Sequence, residues 1–107
     1  MNELNVRSGD HVVTLITIFT CKPESQPELV DLLVDGTDTI MRKLKGFVGS
    51  SVHRGVDPKK VVNYAQWKTE ADLVAMREVP EAKAYFTKVG ALGEIQSIVC
   101  YVEHVLT

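Results

Sequence analysis

The segment His11-Val-Val-Thr-Leu-Ile-Thr-Ile-Phe-Thr20 constrains the fold more than any other stretch of the chain. Its β-branched and aromatic residues define a strand. Alternate residues of a strand point to opposite faces. Val13, Leu15, Thr17 and Phe19 fall on one face, and Val12, Thr14, Ile16 and Ile18 on the other. Both faces are mostly apolar, a pattern that a sheet with one wet face does not need. The strand is therefore expected at the centre of a sheet, with both of its faces covered.

The remaining pattern says what does the covering. Ser25-Gln-Pro-Glu28 has capping-box spacing with a proline in the first turn. The helix it opens places Leu29, Leu33, Gly36, Ile40 and Leu44 on one stripe, with Leu32 and Met41 beside them. Gly46 is expected to end that helix in the left-handed conformation. Residues 47–54 and 61–68 read as two strands joined by the hairpin loop Gly55-Val-Asp-Pro-Lys-Lys60. Thr69-Glu-Ala-Asp72 supplies a second capping box, and the helix behind it buries Leu73, Met76 and Val79. Pro80 interrupts that helix. A second short helix over 81–89 and a last strand over 94–105 complete the chain.

The order β-α-β-β-α-β predicts an α+β, ferredoxin-like domain: four antiparallel strands with the helices on one face. The opposite face would carry apolar residues from the first and last strands, Ile95, Ile98, Cys100 and Val102 among them. A patch of that extent marks an interface, and a twofold dimer with facing sheets would cover it.

The chain has 107 residues, enough for one core, which is expected over 11–107 behind a polar tail at 1–10. That tail lacks the basic start and apolar centre of a signal peptide. The net charge is only −2 and the basic residues are scattered, so nucleic acid is not an expected partner. No apolar run reaches the roughly 18 residues of a membrane span. Cys21 and Cys100 are too few for a disulfide scaffold and match no zinc spacing. They are expected to be free thiols in a cytoplasmic protein.

Familiar catalytic motifs are missing: no Gly-rich phosphate loop, nucleophile elbow, His-Glu-x-x-His or Cys-x-x-Cys occurs. His11, His53 and His104 form no i, i+4 pair that would argue for a metal. What remains is Val61-Val-Asn-Tyr-Ala-Gln-Trp67, where Asn63, Ala65 and Trp67 share one face. If that face lies under the helices, an amide and an indole sit in an apolar region. Burying an unpartnered amide costs roughly 1–3 kcal/mol. Either Trp67 is core and Asn63 bonds nearby backbone, or the indole walls a pocket and offers its N–H to a substrate oxygen.

The stretch from Gly46-Phe-Val to Trp67, followed by Thr69-Glu-Ala-Asp72 and Pro80-Glu-Ala-Lys-Ala-Tyr-Phe86, resembles the antibiotic biosynthesis monooxygenase family over residues 12–105. The resemblance implies a homodimer of ferredoxin-like subunits, a dimeric α+β barrel. Members acting on polyketides oxidise phenolic or anthrone rings to quinones with molecular oxygen, without metal or organic cofactor. It implies that Asn63 and Trp67, matching the pocket Asn and Trp of that subgroup, carry the reaction. Thr17, His53 and Tyr85 are the accompanying substrate-binding candidates. His53 has a pKa suited to a base near neutrality, although an acidic substrate would need none.

The sequence also departs from the family's pattern. Thr17 stands where some anthrone-type oxygenases have Asn, Tyr85 where many members have His, and Gly90 where some have a basic residue. No helix histidine matches the axial ligand of the haem-degrading branch, which excludes that activity. The alternatives are a quinol or aldehyde-type oxidase of general metabolism, a polyketide cyclase, a non-catalytic dimeric ligand-binding protein, and a structural dimer with a filled pocket.

Overall fold

The computed structural model describes residues 12–107. The expected tail at 1–10 and His11 lie outside them. Strand β1 (Val13–Cys21) is followed by a 3-10 turn and helix α1 (Gln26–Thr39), then β2 (Phe47–Arg54) and β3 (Lys60–Trp67). Helices α2 (Glu70–Met76) and α3 (Pro80–Leu92) lead into β4 (Gly93–Cys100). The strands form one antiparallel sheet in the order β2-β3-β1-β4. This is the ferredoxin-like arrangement expected from the element order, with β1 inside the sheet.

Local chemistry explains most boundaries. Thr69 caps α2 as its spacing predicts, its hydroxyl accepting the Asp72 N–H at 3.0 Å. Pro80 separates α2 from α3 by opening the latter. The first helix differs from expectation at both ends. Ser25 holds the N-cap position but makes no side-chain cap bond, because a 3-10 turn over Pro23–Ser25 already leads the chain in. The helix stops at Thr39, and Arg42 and Lys43 lie in a separate 3-10 turn, not in its last turn. Gly46 does take a positive φ of 83°, but at the entry to β2. A Cβ there would overlap the Asp72 carboxylate.

A buried glutamine anchors the β2–β3 hairpin. Gln26 Nε2 donates to the carbonyls of Gly55 and Lys60, both at 3.0 Å, and to that of Asp57 at 3.3 Å. One side chain thereby ties the start of α1 to the loop that begins β3.

The core between sheet and helices is divided in two. At one end Val13, Leu15, Ala65 and Trp67 pack with Leu73, Met76 and Ala82. At the other, Phe19, Cys21 and Val61 pack with Leu29, Leu33, Tyr85 and Val89. The row between them is polar: Ser97 on β4, Thr17 on β1 and Asn63 on β3 stand opposite one another. The outer sheet face carries half-buried Ile16, Ile18 and Val62 and the exposed Ile98. Ile95 does not join it. It pairs with Phe19 and so lies on the helix face, opposite in parity to Ile98. Cys21 and Cys100 sit at opposite ends of β1, Cys100 facing Thr14. The strand from Thr14 to Cys21 spans about 23 Å, far beyond the reach of a disulfide.

Candidate active site

A cavity of about 280 Å³ opens where the core divides. Its floor is the helix face of the sheet: Leu15, Thr17 and Phe19 from β1, and Asn63, Ala65 and Trp67 from β3. Ser50 from β2 and Ser97 from β4 complete that floor. Leu33 and Thr37 of α1 and Tyr85 and Phe86 of α3 form the roof, with Met76 and Arg77 at the end of α2. Ala65 lies between Asn63 and Trp67 on one face of β3, and its small side chain leaves the space that both larger ones border.

The wall is apolar apart from a few polar atoms, and several of these lack a partner. Trp67 is fully buried, yet its Nε1–H has no acceptor among the described residues. Asn63 Oδ1 and Ser50 Oγ are likewise buried without a bond. Each such atom costs roughly 1–3 kcal/mol when left unpaired. The indole is held in place by Phe47, whose ring meets it edge-on at 5.4 Å and 78°. The indole lines the cavity, but its unpartnered N–H is covered by protein, so an acceptor from outside the chain reaches it only if the lining gives way. Packing accounts for the Trp67 ring and leaves its N–H and the Asn63 Oδ1 without a partner.

Tyr85 also borders the cavity and is 5% exposed. Burial, with the nearby Asp35 charge second, pushes its phenol up to about 12. It is therefore a neutral hydroxyl near pH 7 and not a base. Its O–H donates to the Leu33 carbonyl at a long 3.5 Å. Thr17 is buried on the cavity floor, and its Oγ1 lies 3.2 Å from Ser97 Oγ.

His53 is not brought to the cavity, which corrects its expected place there. It pairs with Val62, a residue of the opposite parity to Asn63. The cause is a bulge between Phe47 and Gly49. One extra residue in β2 turns over every later side chain, bringing Ser50 in and sending His53 out, where it bonds Ser51 Oγ at 2.7 Å. Among the described residues the cavity wall contains no Asp, Glu or His, and Arg77 is its one charged side chain.

Sequence reasoning missed Ser50, Ser97, Arg77 and Gly36. Alternation along β4 would have put Ser97 in line with Ile95, whereas Ser50 depends on the bulge. Gly36 on α1 faces Tyr85 so closely that a Cβ there would overlap the edge of the ring at Cε1. Its place on the apolar stripe was visible, but not the ring against it.

A four-stranded ferredoxin-like sheet with an aromatic-walled cavity under its helices defines the class by architecture, and likeness to known proteins gives the family. Residues 12–88 match the family described as antibiotic biosynthesis monooxygenase, and the chain belongs to that family. It is 40% identical over 91 residues to the tetracenomycin-F1 monooxygenase of Streptomyces glaucescens, covering 85% of this chain and 81% of that protein. An anthrone oxidase-like protein of known structure superposes with a TM-score of 0.84 at 28% identity, over 92% of this chain and 42% of that one. SnoaB, a cofactor-independent oxygenase from Streptomyces nogalater, shares the fold with a TM-score of 0.76 at 20% identity, over 90% and 97% of the two chains.

Proposed function

We propose that this protein is a cofactor-independent monooxygenase that oxidises an anthrone-type or phenolic polyketide to a quinone with dioxygen. The observation that carries the reading is a pair of buried polar atoms without a partner, Trp67 Nε1–H and Asn63 Oδ1, on two residues of the cavity floor. The 40% identity to a tetracenomycin-F1 monooxygenase supports the same chemistry.

Dioxygen reacts poorly with closed-shell carbon, so the substrate must first lose a proton and become an electron-rich anion. The Trp67 N–H and the Asn63 Nδ2–H donate to the enolate or phenolate oxygen where charge develops, and Asn63 Oδ1 is left to accept from a substrate hydroxyl. Arg77, at the end of α2, adds a positive field that favours the same anion. With no carboxylate or imidazole on the described wall, the acidity comes from the substrate itself. An anthrone, or a phenol with a free C–H across the ring, held this way gives one electron to dioxygen. The radical pair combines to a peroxide, and loss of water leaves the quinone. The apolar walls limit return of the first proton.

The working unit in this reading is a homodimer in the cytoplasm. The outer sheet face supports the dimer, because Ile16, Ile18, Val62 and Ile98 would otherwise meet water. Among the described residues no helix is long and apolar enough to cross a membrane.

Oxygen uptake by metal-stripped protein supplied with dithranol tests the reading, with Asn63→Ala and Trp67→Phe alongside. Phe keeps most of the buried ring, so Trp67→Phe removes the donor without the roughly 3–5 kcal/mol loss of a Trp→Ala cavity. Rates about tenfold to a hundredfold lower in both variants are expected, the usual scale for losing an oxyanion donor or somewhat below it. Wild-type uptake equal to the protein-free control would overturn the oxygenase reading in favour of a ligand-binding or cyclising relative.

A further inference from the structure

We propose that Thr17 and Ser97 form a two-hydroxyl proton relay that carries a solvent proton to the peroxide formed during oxidation; this rests on the oxygenase reading above.

The two hydroxyls differ in setting. Thr17 is 6% exposed and lies on the cavity floor, whereas Ser97, its direct partner on the edge strand β4, is exposed. Their oxygens are 3.2 Å apart, and either can be the donor. A hydroxyl has one hydrogen and two lone pairs and turns freely about its C–O bond. When Thr17 gives up its hydrogen it can take another from Ser97, which refills from water. The pair thus links the closed floor to solvent with groups that need no charge of their own.

The position suits that role. Thr17 stands directly opposite Asn63 on the neighbouring strand. Adjacent strands lie about 4.8 Å apart, a distance comparable to the width of one aromatic ring with its oxygen substituent. A ring whose oxyanion is held at Asn63 and Trp67 therefore presents the carbon across the ring over Thr17. That carbon is where oxygen is added. The Trp67 and Asn63 donors are committed to the oxyanion, so the peroxide needs a separate proton source. Tyr85 is another hydroxyl on the wall, but its O–H is directed to the Leu33 carbonyl and not to a second hydroxyl that could refill it.

For a substrate oxidised at a ring methylene, the deprotonated carbon passes one electron to dioxygen. The carbon radical and superoxide then join by a new C–O bond, giving a peroxide anion on a carbon that still bears one hydrogen. Thr17 protonates the terminal oxygen and recovers its proton through Ser97. The remaining C–H proton leaves, its electron pair forms the carbonyl, and the O–O bond breaks. Hydroxide departs and combines with that proton. One methylene group and one dioxygen molecule thus become one carbonyl group and one water, with the carbon oxidised and dioxygen reduced. Without the relay the unprotonated peroxide falls back to the radical pair. Superoxide escapes, and two substrate radicals join through a carbon–carbon bond.

The test measures quinone formed per oxygen consumed with dithranol, together with superoxide trapped by cytochrome c and the carbon–carbon dimer in the products. Thr17→Val keeps the shape of the side chain, and Ser97→Ala alters an exposed position, so both variants are expected to fold. Wild type should give close to one quinone per oxygen. Thr17→Val should fall below half of that, with superoxide and dimer appearing, and Thr17→Ser should restore coupling. Ser97→Ala should show the same products and a smaller solvent isotope effect than wild type. Asn63→Ala serves as the contrast, slowing uptake while leaving the product ratio near one. Full coupling in both Thr17→Val and Ser97→Ala would overturn the relay while leaving the oxygenase reading intact. Absence of wild-type uptake would overturn both.

Discussion

At the residue scale, the cavity shows how burial turns ordinary side chains into specialised ones. Tyr85 is an ordinary phenol by type, but the low-dielectric roof between α1 and α3 penalises its anion, and Asp35 adds to that penalty. Its proton is therefore held up to about pH 12, whereas the unfolded chain releases it near 10. Between those values the native state binds a proton that the unfolded state lacks. The corresponding stability is complete below pH 10 and is lost as pH rises through 12. A shift of about two units sets a ceiling of roughly 2–3 kcal/mol on the effect. Urea unfolding of wild type and Tyr85→Phe from about pH 9 to 12 should show the wild type losing more stability across that window. Parallel slopes for the two proteins would show that Tyr85 titrates as an exposed tyrosine does.

At the element scale, helix α1 is shaped by what it must lie against. Alanine is favoured over glycine in a helix interior by about 1 kcal/mol, so propensity alone makes Gly36→Ala stabilising. The Tyr85 ring reverses that preference, because the new methyl would overlap its Cε1 edge. Phe86 packs against the same ring at a centroid distance of 5.2 Å and limits its retreat. Overpacking of this kind costs about 1–3 kcal/mol. Gly36→Ala is therefore expected to lower stability by about 1–2 kcal/mol, and Gly36→Ala with Tyr85→Leu to recover much of the loss. Thermal or urea denaturation of the two singles and the double measures that coupling. Additive losses would mean that the ring is not what excludes the methyl. The bulge in β2 acts at the same scale, since one inserted residue decides that Ser50 and not His53 reaches the cavity.

At the scale of the whole molecule, one sheet serves two purposes. Its helix face makes a divided core with a cavity in the gap, and its outer face and edge strand leave apolar side chains uncovered. Ile98 is 49% exposed on the outer face; Ile95 and Val99 are 44% exposed on the other side of β4. In the proposed dimer, with two sheets face to face, a charge at Ile98 would be buried against its twin. Ile98→Asp should shift sedimentation velocity from a dimer towards a monomer at micromolar concentration, since an unpaired buried carboxylate costs several kcal/mol. A variant that sediments as the wild type does would remove the outer face as the interface.

Periodicity and turn chemistry made much of this protein legible in its sequence. The two-sided apolar run identified β1 as central, the Thr69 cap and Pro80 placed α2 and α3, and the shared face of Asn63 and Trp67 picked out the cavity floor. These follow from local rules, in which a residue's neighbours along the chain determine where its side chain points. Ser25 and the end of α1 were misjudged because a 3-10 turn on either side competes with the helix for the same backbone bonds. The position of His53, the entry of Ser50 and the Thr17–Ser97 contact required the strand register. Register depends on a bulge and on pairings between distant parts of the chain, Thr17 and Ser97 being 80 positions apart. The sequence by itself therefore determined the fold and named four residues that line the cavity, Thr17, Asn63, Trp67 and Tyr85. Only the tertiary structure decided which of the others meet them, because a single-residue change in pairing exchanges the buried and exposed faces of a strand.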